Sequence, residues 1–322
     1  MEGEFDVRGR IFVITGGDKG LGLETVRRLV QGGGQVIIGC RDAKYFGQEA
    51  GTALSDLCGG LKCGLGQIEM IYMDLAKLTS VKKFCDTIIS RNEVVDVLIC
   101  NAGVMSHIGE NVTEDGLELH YSVNYLGHFL IVQNLRPLLQ KSLDPRVLAV
   151  SSVLLRDGKI DVDNLGSPSS PRNKITSSRT SSTPLAYCDS KMMMTLFVQE
   201  LQRREPHLSV FSVSPGWCRT SLGRSAKIPW YSYPLLVTLM LIFGNSVKSG
   251  ADSVVFCASE KKLHLHHLRG KFVRKRKVYK KIESCLESQG SCVSELWKRS
   301  ETEIQQIFDR QEQSCRRNSI LS

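Results

Sequence analysis

Short apolar, β-branched runs alternate along this chain with stretches of helical spacing, and this rhythm limits the fold more than any other feature. The runs are residues 11–15 (IFVIT), 35–39 (QVIIG), 68–73 (IEMIYM), 94–100 (VVDVLIC), 146–150 (RVLAV) and 209–213 (SVFSV). Most are continuously apolar, which is how a strand buried on both faces reads. Residues Leu21–Val30 instead space their apolar side chains along one face of a helix. Strands alternating with helices form a parallel sheet covered on both sides. The expectation is an α/β fold, a doubly wound parallel sheet in a single domain over residues 8–260, followed by a basic C-terminal extension, 261–322. With 322 residues, 42% of them hydrophobic, the chain can bury one large core.

Two segments break the rhythm. Residues 166–184 (GSPSSPRNKITSSRTSSTP) are rich in Ser, Thr and Pro and lack apolar periodicity, so they read as a mobile surface loop. Residues 228–243 (IPWYSYPLLVTLMLIF) are strongly apolar and carry no charge. They are short for a membrane span and hold Pro229 and Pro234, so they read as an apolar lid over a substrate pocket.

The net charge of +9 gathers in Lys271–Lys281 (KFVRKRKVYKK), with Lys261, Lys262 and Arg269 before it. Such a run is either a solvated surface or a contact for anionic lipid. No stacking platform or nucleic-acid fold signature accompanies it, so no nucleic-acid partner is expected. The eleven cysteines show no C-x-x-C pair or zinc spacing, and no secretory signal opens the chain. Free thiols in a reducing compartment follow, hence a cytoplasmic location with peripheral membrane contact as the alternative. The sequon Asn111-Val112-Thr113 then stays unglycosylated. No metal site is expected: His264, His266 and His267 lack partners at ligand spacing.

The first strand runs into Thr15-Gly16-Gly17-Asp18-Lys19-Gly20-Leu21-Gly22. Glycines at 16, 20 and 22 permit a tight turn and close approach of a pyrophosphate, which the amides opening the next helix would bind. Lying between strand and helix, the turn makes the sheet Rossmann-type. The second strand ends in Gly39-Cys40-Arg41-Asp42. A neutral Cys40 stands where NAD-selective sites carry an acid, and Arg41 suits a 2′-phosphate. Lys19 adds a second cation, and Asp42 opposes them. The balance favours NADP(H).

Tyr187 and Lys191 stand four residues apart in Tyr187-Cys188-Asp189-Ser190-Lys191 and so share a helix face. A free phenol titrates near pH 10, and a nearby ammonium would stabilise its anion. The spacing alone is common on surfaces; order along the chain gives it weight.

With that order in view, the chain resembles the short-chain dehydrogenase/reductase family, most closely its retinol dehydrogenase branch. The glycine motif is matched by Thr15, Gly16, Gly20 and Gly22. The Asn-Ala-Gly motif is Asn101, Ala102 and Gly103. The catalytic asparagine matches Asn124, the active-site serine Ser152 and the Pro-Gly motif Pro215-Gly216. Branch-level likeness rests on 185–188 (LAYC), 125–129 (YLGHF) and 215–223 (PGWCRTSLG).

The resemblance implies that Tyr187 exchanges the proton, Ser152 bonds the substrate oxygen, Lys191 holds the nicotinamide ribose and Asn124 serves a proton relay. Asp74 and Leu75 would border the adenine, and Thr220 the carboxamide. It also implies a homodimer paired through helices flanking the site. The stretch between Ser152 and Tyr187 is longer than the family's usual one, which leaves the substrate open. Three readings follow. The first is reversible conversion of an apolar alcohol (retinoid, lipid aldehyde or steroid class) to its aldehyde or ketone. The second is a broad carbonyl reductase for reactive aldehydes. The third is a nucleotide-binding scaffold without turnover. Cys188, Cys218 and Met192–Met194 are read as packing, and Trp297 as an anchor for the C-terminal helix.

Overall fold

The computed structural model describes residues 5–41, 67–106, 112–177, 183–216 and 246–321. Asp42, the sequon at Asn111, Cys218, Thr220 and the apolar segment 228–243 lie outside these. Within them the strands are β1 (Ile11–Thr15), β2 (Gln35–Cys40), β3 (Gln67–Tyr72), β4 (Val97–Cys100), β5 (Arg146–Val150) and β6 (Ser209–Ser214), followed by β7 (Phe272–Arg274) and β8 (Lys277–Val278). They form one sheet in the order β3-β2-β1-β4-β5-β6-β7-β8, parallel throughout except for the antiparallel β7–β8 pair. The order reverses between β1 and β4, and such a reversal opens a crevice at the carboxyl ends of the strands.

Alternate side chains leave opposite faces of each strand. Phe12, Ile14, Val36, Ile38, Ile99 and Val213 enter one core with helices α1 (Gly20–Gln31) and α6 (Val247–Ser259). Val13, Ile37, Leu98, Val147 and Val210 enter the other, against α2 (Leu78–Arg91), α4 (Gly127–Leu139) and α5 (Leu185–Arg204). Helix α4 continues from α3 (Leu119–Tyr121) through a π-helical turn, Ser122–Leu126. Met192, Met193 and Met194 are core filling, as read.

Residues beyond 260 join this same body. The basic run Lys271–Lys281 contains the hairpin β7–β8, a strand signal that its charges conceal. Phe272 and Val273 point into the cores, and Lys271, Lys275, Arg276 and Lys277 point out. After the short α7 (Lys262–Leu265) and α8 (Glu283–Glu287) comes α9 (Val293–Leu321). Its Trp297 is 2% exposed, stacked on Phe197 of α5 at 5.6 Å and edge-on to Phe129 of α4 at 5.0 Å. The helix thereby covers the outer faces of α4 and α5. Among the described residues no helix is long and apolar enough to cross a membrane.

The Ser/Thr-rich segment is a loop, yet its first part is tied down. A 3-10 turn spans Pro171–Lys174, and the Asn173 side chain donates to the Ser167 and Pro168 carbonyls. The loop closes on the start of α5, with Leu185 N–H bonded to the Ile175 carbonyl at 2.9 Å.

Candidate active site

The glycine turn is shaped by its own backbone and by Asn101. Gly16 and Gly20 have φ of +63° and +56°, the left-handed region that glycine alone enters freely. A Cβ at Gly22 would sit 2.1 Å from the Gly16 carbonyl oxygen, so helix α1 can begin this close to β1 only without one. Gly17, which the spacing argument passed over, is held by packing: a Cβ there would lie 3.0 Å from Ile14, Ile38 and Val26. Asn101 Nδ2 donates to the Thr15 and Gly16 carbonyls at 2.9 and 3.0 Å, clamping the turn to the end of β4.

This cradle fits a dinucleotide phosphate. Lys19 stands at the N-cap of α1 without a side-chain cap bond, and the first turn of the helix holds no acid. The amides that open α1 therefore face no carboxylate of their own. At the neighbouring strand ends, Arg41 is 61% exposed and lies 3.8 Å from Asp74. Lys19 is 70% exposed and lies 3.5 Å from the buried Asp18. Both cations thus keep their outer surface open, each with an acid behind it. Leu75 is buried against Gly127 beneath Asp74. Pro215 and Gly216, the latter at φ +79°, follow β6 at the same edge.

Asn124, Ser152, Tyr187 and Lys191 come from three elements, and Asn124 and Lys191 meet beside Gly103. Asn124 is fixed by the π-helical turn: its Oδ1 accepts from Val104 N–H at 2.8 Å, and its Nδ2 donates to the Val104 carbonyl and to Ser190 Oγ, both at 3.0 Å. Ser190 in turn donates to the Tyr187 carbonyl at 2.7 Å. A Cβ on Gly103 would stand 3.2 Å from Asn124 Oδ1 and 3.4 Å from Lys191 Nζ, so glycine leaves room for both. Lys191 Nζ donates to the Val150 carbonyl at 3.0 Å and lies 5.7 Å from the Tyr187 ring centre. Ser152 opens a 3-10 turn, Val153–Asp157, and its Oγ accepts from Leu154 N–H.

Electrostatics here are governed by burial. Desolvation raises the Tyr187 phenol above its ordinary value, and a hydrogen bond with Ser152 opposes the rise. Burial also presses Lys191 down to about 8. The four-residue spacing of Tyr187 and Lys191 carries no sign of this burial cost. Tyr187 is therefore protonated at neutral pH.

His128 lies in the 125–129 stretch and reaches across to the glycine turn. Thr15 Oγ1 accepts from the N–H groups of Asn101 and Ala102, both at 2.9 Å, so its own proton goes to His128 Nε2 at 2.9 Å. Burial, helped by Lys191, pushes His128 down to about 3, consistent with the neutral ring this bond requires. His128 thus ties the glycine turn to the π-helical turn. His120 is likewise buried, edge-on to Tyr187 with ring centres 6.3 Å apart. Its Nε2 accepts from Ser106 N–H and its Nδ1 faces Glu118 at 2.6 Å. Neither histidine carries a periodic or spacing signal; their roles depend on contacts across the fold. Among the described residues no group of three His, Cys, Asp or Glu is placed to hold a metal ion.

Residues 10–162 match the family described as short chain dehydrogenase. Retinol dehydrogenase 14 of Mus musculus is 36% identical over 258 residues, covering 78% of this chain and 74% of that protein. Retinol dehydrogenase 13 of Homo sapiens is 35% identical over 245 residues, covering 76% and 69%. Among solved structures, an uncharacterized protein from Mycobacterium paratuberculosis superposes with a TM-score of 0.65 at 26% identity, over 93% of this chain and 95% of that one.

Proposed function

The chain belongs to the short-chain dehydrogenase/reductase family, a family of oxidoreductases, and from that premise we propose that it interconverts an apolar alcohol and its aldehyde or ketone with NADP(H). The observation that carries the reading is the grouping of Asn124 and Lys191 beside Gly103 with Ser152 hydrogen-bonded to Tyr187 and Lys191 5.7 Å from the Tyr187 ring centre. The names of the two retinol dehydrogenases support the apolar-alcohol class, with retinoids, lipid aldehydes and steroids as its members.

In this reading Tyr187 gives its proton to the carbonyl oxygen during reduction and takes it back during oxidation. Ser152 donates to the same oxygen as charge gathers there. Lys191 holds the ribose and supplies positive charge beneath the phenol, and Asn124 fixes the chain of donors leading away from it. Gly16, Lys19, Gly20, Leu21 and Gly22 would cradle the pyrophosphate, and Arg41 the 2′-phosphate. Asp74 and Leu75 would flank the adenine, Asn101, Ala102 and Gly103 the ribose, and Pro215, Gly216 and Thr220 the nicotinamide. The cofactor supplies the hydride when bound.

Because burial holds Tyr187 protonated, carbonyl reduction runs at neutral pH, whereas alcohol oxidation needs the phenolate and climbs as pH rises. A panel of retinoids, steroids and short and long aldehydes, followed at the nicotinamide absorbance with NADPH, tests the reading. At least one apolar member turns over, and Tyr187→Phe lowers kcat by about 10²–10⁴-fold. Preference for short reactive aldehydes would favour a broad carbonyl reductase. No turnover across the panel would leave only a nucleotide-binding scaffold.

A further inference from the structure

Helix α5 carries a buried carboxylate for which proton transfer has no use. Asp189 lies between Tyr187 and Lys191 and is 7% exposed. Arg172, from the 3-10 turn of the Ser/Thr-rich loop, holds it with a fork of two donors, Nε at 2.6 Å and a terminal nitrogen at 2.5 Å. Lys159 N–H adds a third bond at 2.8 Å. The terminal nitrogen also donates to the Asp157 carbonyl at 3.2 Å, in the turn that Ser152 opens. One guanidinium therefore joins the segment bearing Ser152 to the segment bearing Tyr187.

We propose that Arg172 is a positioning residue, which neutralises the buried Asp189 and so sets the Ser152 turn against the Tyr187 helix; this rests on the function proposed above. A buried charge stripped of its partner is strongly unfavourable, and the planar fork is what lets one side chain serve both segments. Burial alone pushes the Asp189 carboxyl up, and Arg172 is the first influence that opposes it. The other charged groups around Asp189 are Glu118, Lys159, Asp161 and Asp157, three of them acids, so its neutralisation falls mainly to Arg172. The loop that lengthens the stretch between Ser152 and Tyr187 thus acts as a brace.

The test compares Arg172→Leu, Arg172→Lys and the double variant Arg172→Leu/Asp189→Asn in the full chain. Hydrogen exchange reads the brace without turnover. Arg172→Leu speeds exchange at least tenfold in residues 153–157 and 187–191 together, leaving β1 and α1 as they were; unchanged rates in either segment would overturn the positioning. Kinetics read the alignment of Ser152 with Tyr187, with kcat counted per NADPH-binding site to remove unfolded protein. Arg172→Leu lowers kcat at least tenfold with KM within twofold. The added Asp189→Asn removes the stranded carboxylate without restoring the fork, so kcat stays low. Full recovery of kcat in the double variant, or an unchanged kcat in Arg172→Leu, would overturn the positioning. Should Arg172→Leu not fold, Arg172→Lys, which keeps charge and loses the fork, decides the positioning by the same exchange measurement. If the wild-type chain turns over nothing, the proposed function falls while exchange still judges the brace.

Discussion

At Gly22 the nearest neighbour of an added Cβ is the Gly16 carbonyl, six residues back along the chain. At Trp297 the nearest rings are Phe129 and Phe197, which come from two other helices much earlier in the sequence. The first region is a turn shaped by its own backbone; the second is a surface assembled from distant side chains. The cofactor-facing front is therefore sensitive to the addition of a single methyl group, and its long-range ties include hydrogen bonds from Asn101 and from Thr15 to His128. The C-terminal helix is the reverse, since Trp297 holds it against both α4 and α5. Perturbing the front should move binding and rate, whereas perturbing the back should move stability.

Trp297→Ala gives this contrast its harshest trial. The indole is nearly fully buried, lies against two phenylalanines and has the Arg204 guanidinium 4.3 Å above it. Removing a buried aromatic side chain costs about 3–5 kcal/mol. Urea unfolding should register that loss, while kcat per folded molecule stays within twofold. A collapse in rate with stability intact would make the back of the molecule part of the site and end the distinction.

Arg41→Ala probes the front from its exposed edge. The side chain is mostly open to solvent and only loosely paired with Asp74, so little folding energy rests on it. NADPH should bind about tenfold more weakly, or about 1.4 kcal/mol, with NADH binding and the unfolding midpoint unchanged. Equal weakening of both nucleotides would mean that Arg41 supports the fold of the turn rather than a 2′-phosphate.

The same contrast explains what the sequence discloses. Strands β1, β2, β4, β5 and β6 were legible because burial on both faces leaves a run of apolar residues, whereas the edge strand β3 is only partly buried and showed through its apolar, β-branched composition; the glycine turn was legible because its tight backbone admits few alternatives. Asn124, Ser152, Tyr187 and Lys191 could be named by their order in the chain. Their common location depends on β4, β5 and the π-helical turn ending at one sheet edge. What stayed hidden has no local pattern. β7 is only three residues long and sits among lysines that point outward. His128 matters through Thr15, and Arg172 through Asp189 and Asp157, pairings across many residues that no periodicity records. The Ser/Thr-rich composition predicts a loop correctly but says nothing about an arginine within it that grips Asp189 of α5.

The smallest expected effect falls where the two regions meet. Tyr125 follows Asn124 in the π-helical turn, and its hydroxyl is bonded to Ser300 of α9 at 2.8 Å. Tyr125→Phe removes one buried hydrogen bond and leaves the ring packing in place. Ser300 keeps its bond to the Leu296 carbonyl at 2.8 Å, so no group is stranded, and the loss should be about 1 kcal/mol. Asn124 retains Val104 and Ser190 as partners, which together fix its amide without help from α9. Its orientation should therefore survive, and kcat should fall by less than threefold. A fall of tenfold or more, at an unfolding midpoint little changed, would show that the C-terminal helix sets the asparagine through this hydroxyl. The back of the molecule would then reach the chemistry along a single helical turn, and the separation of rate from stability would have to be redrawn at Tyr125.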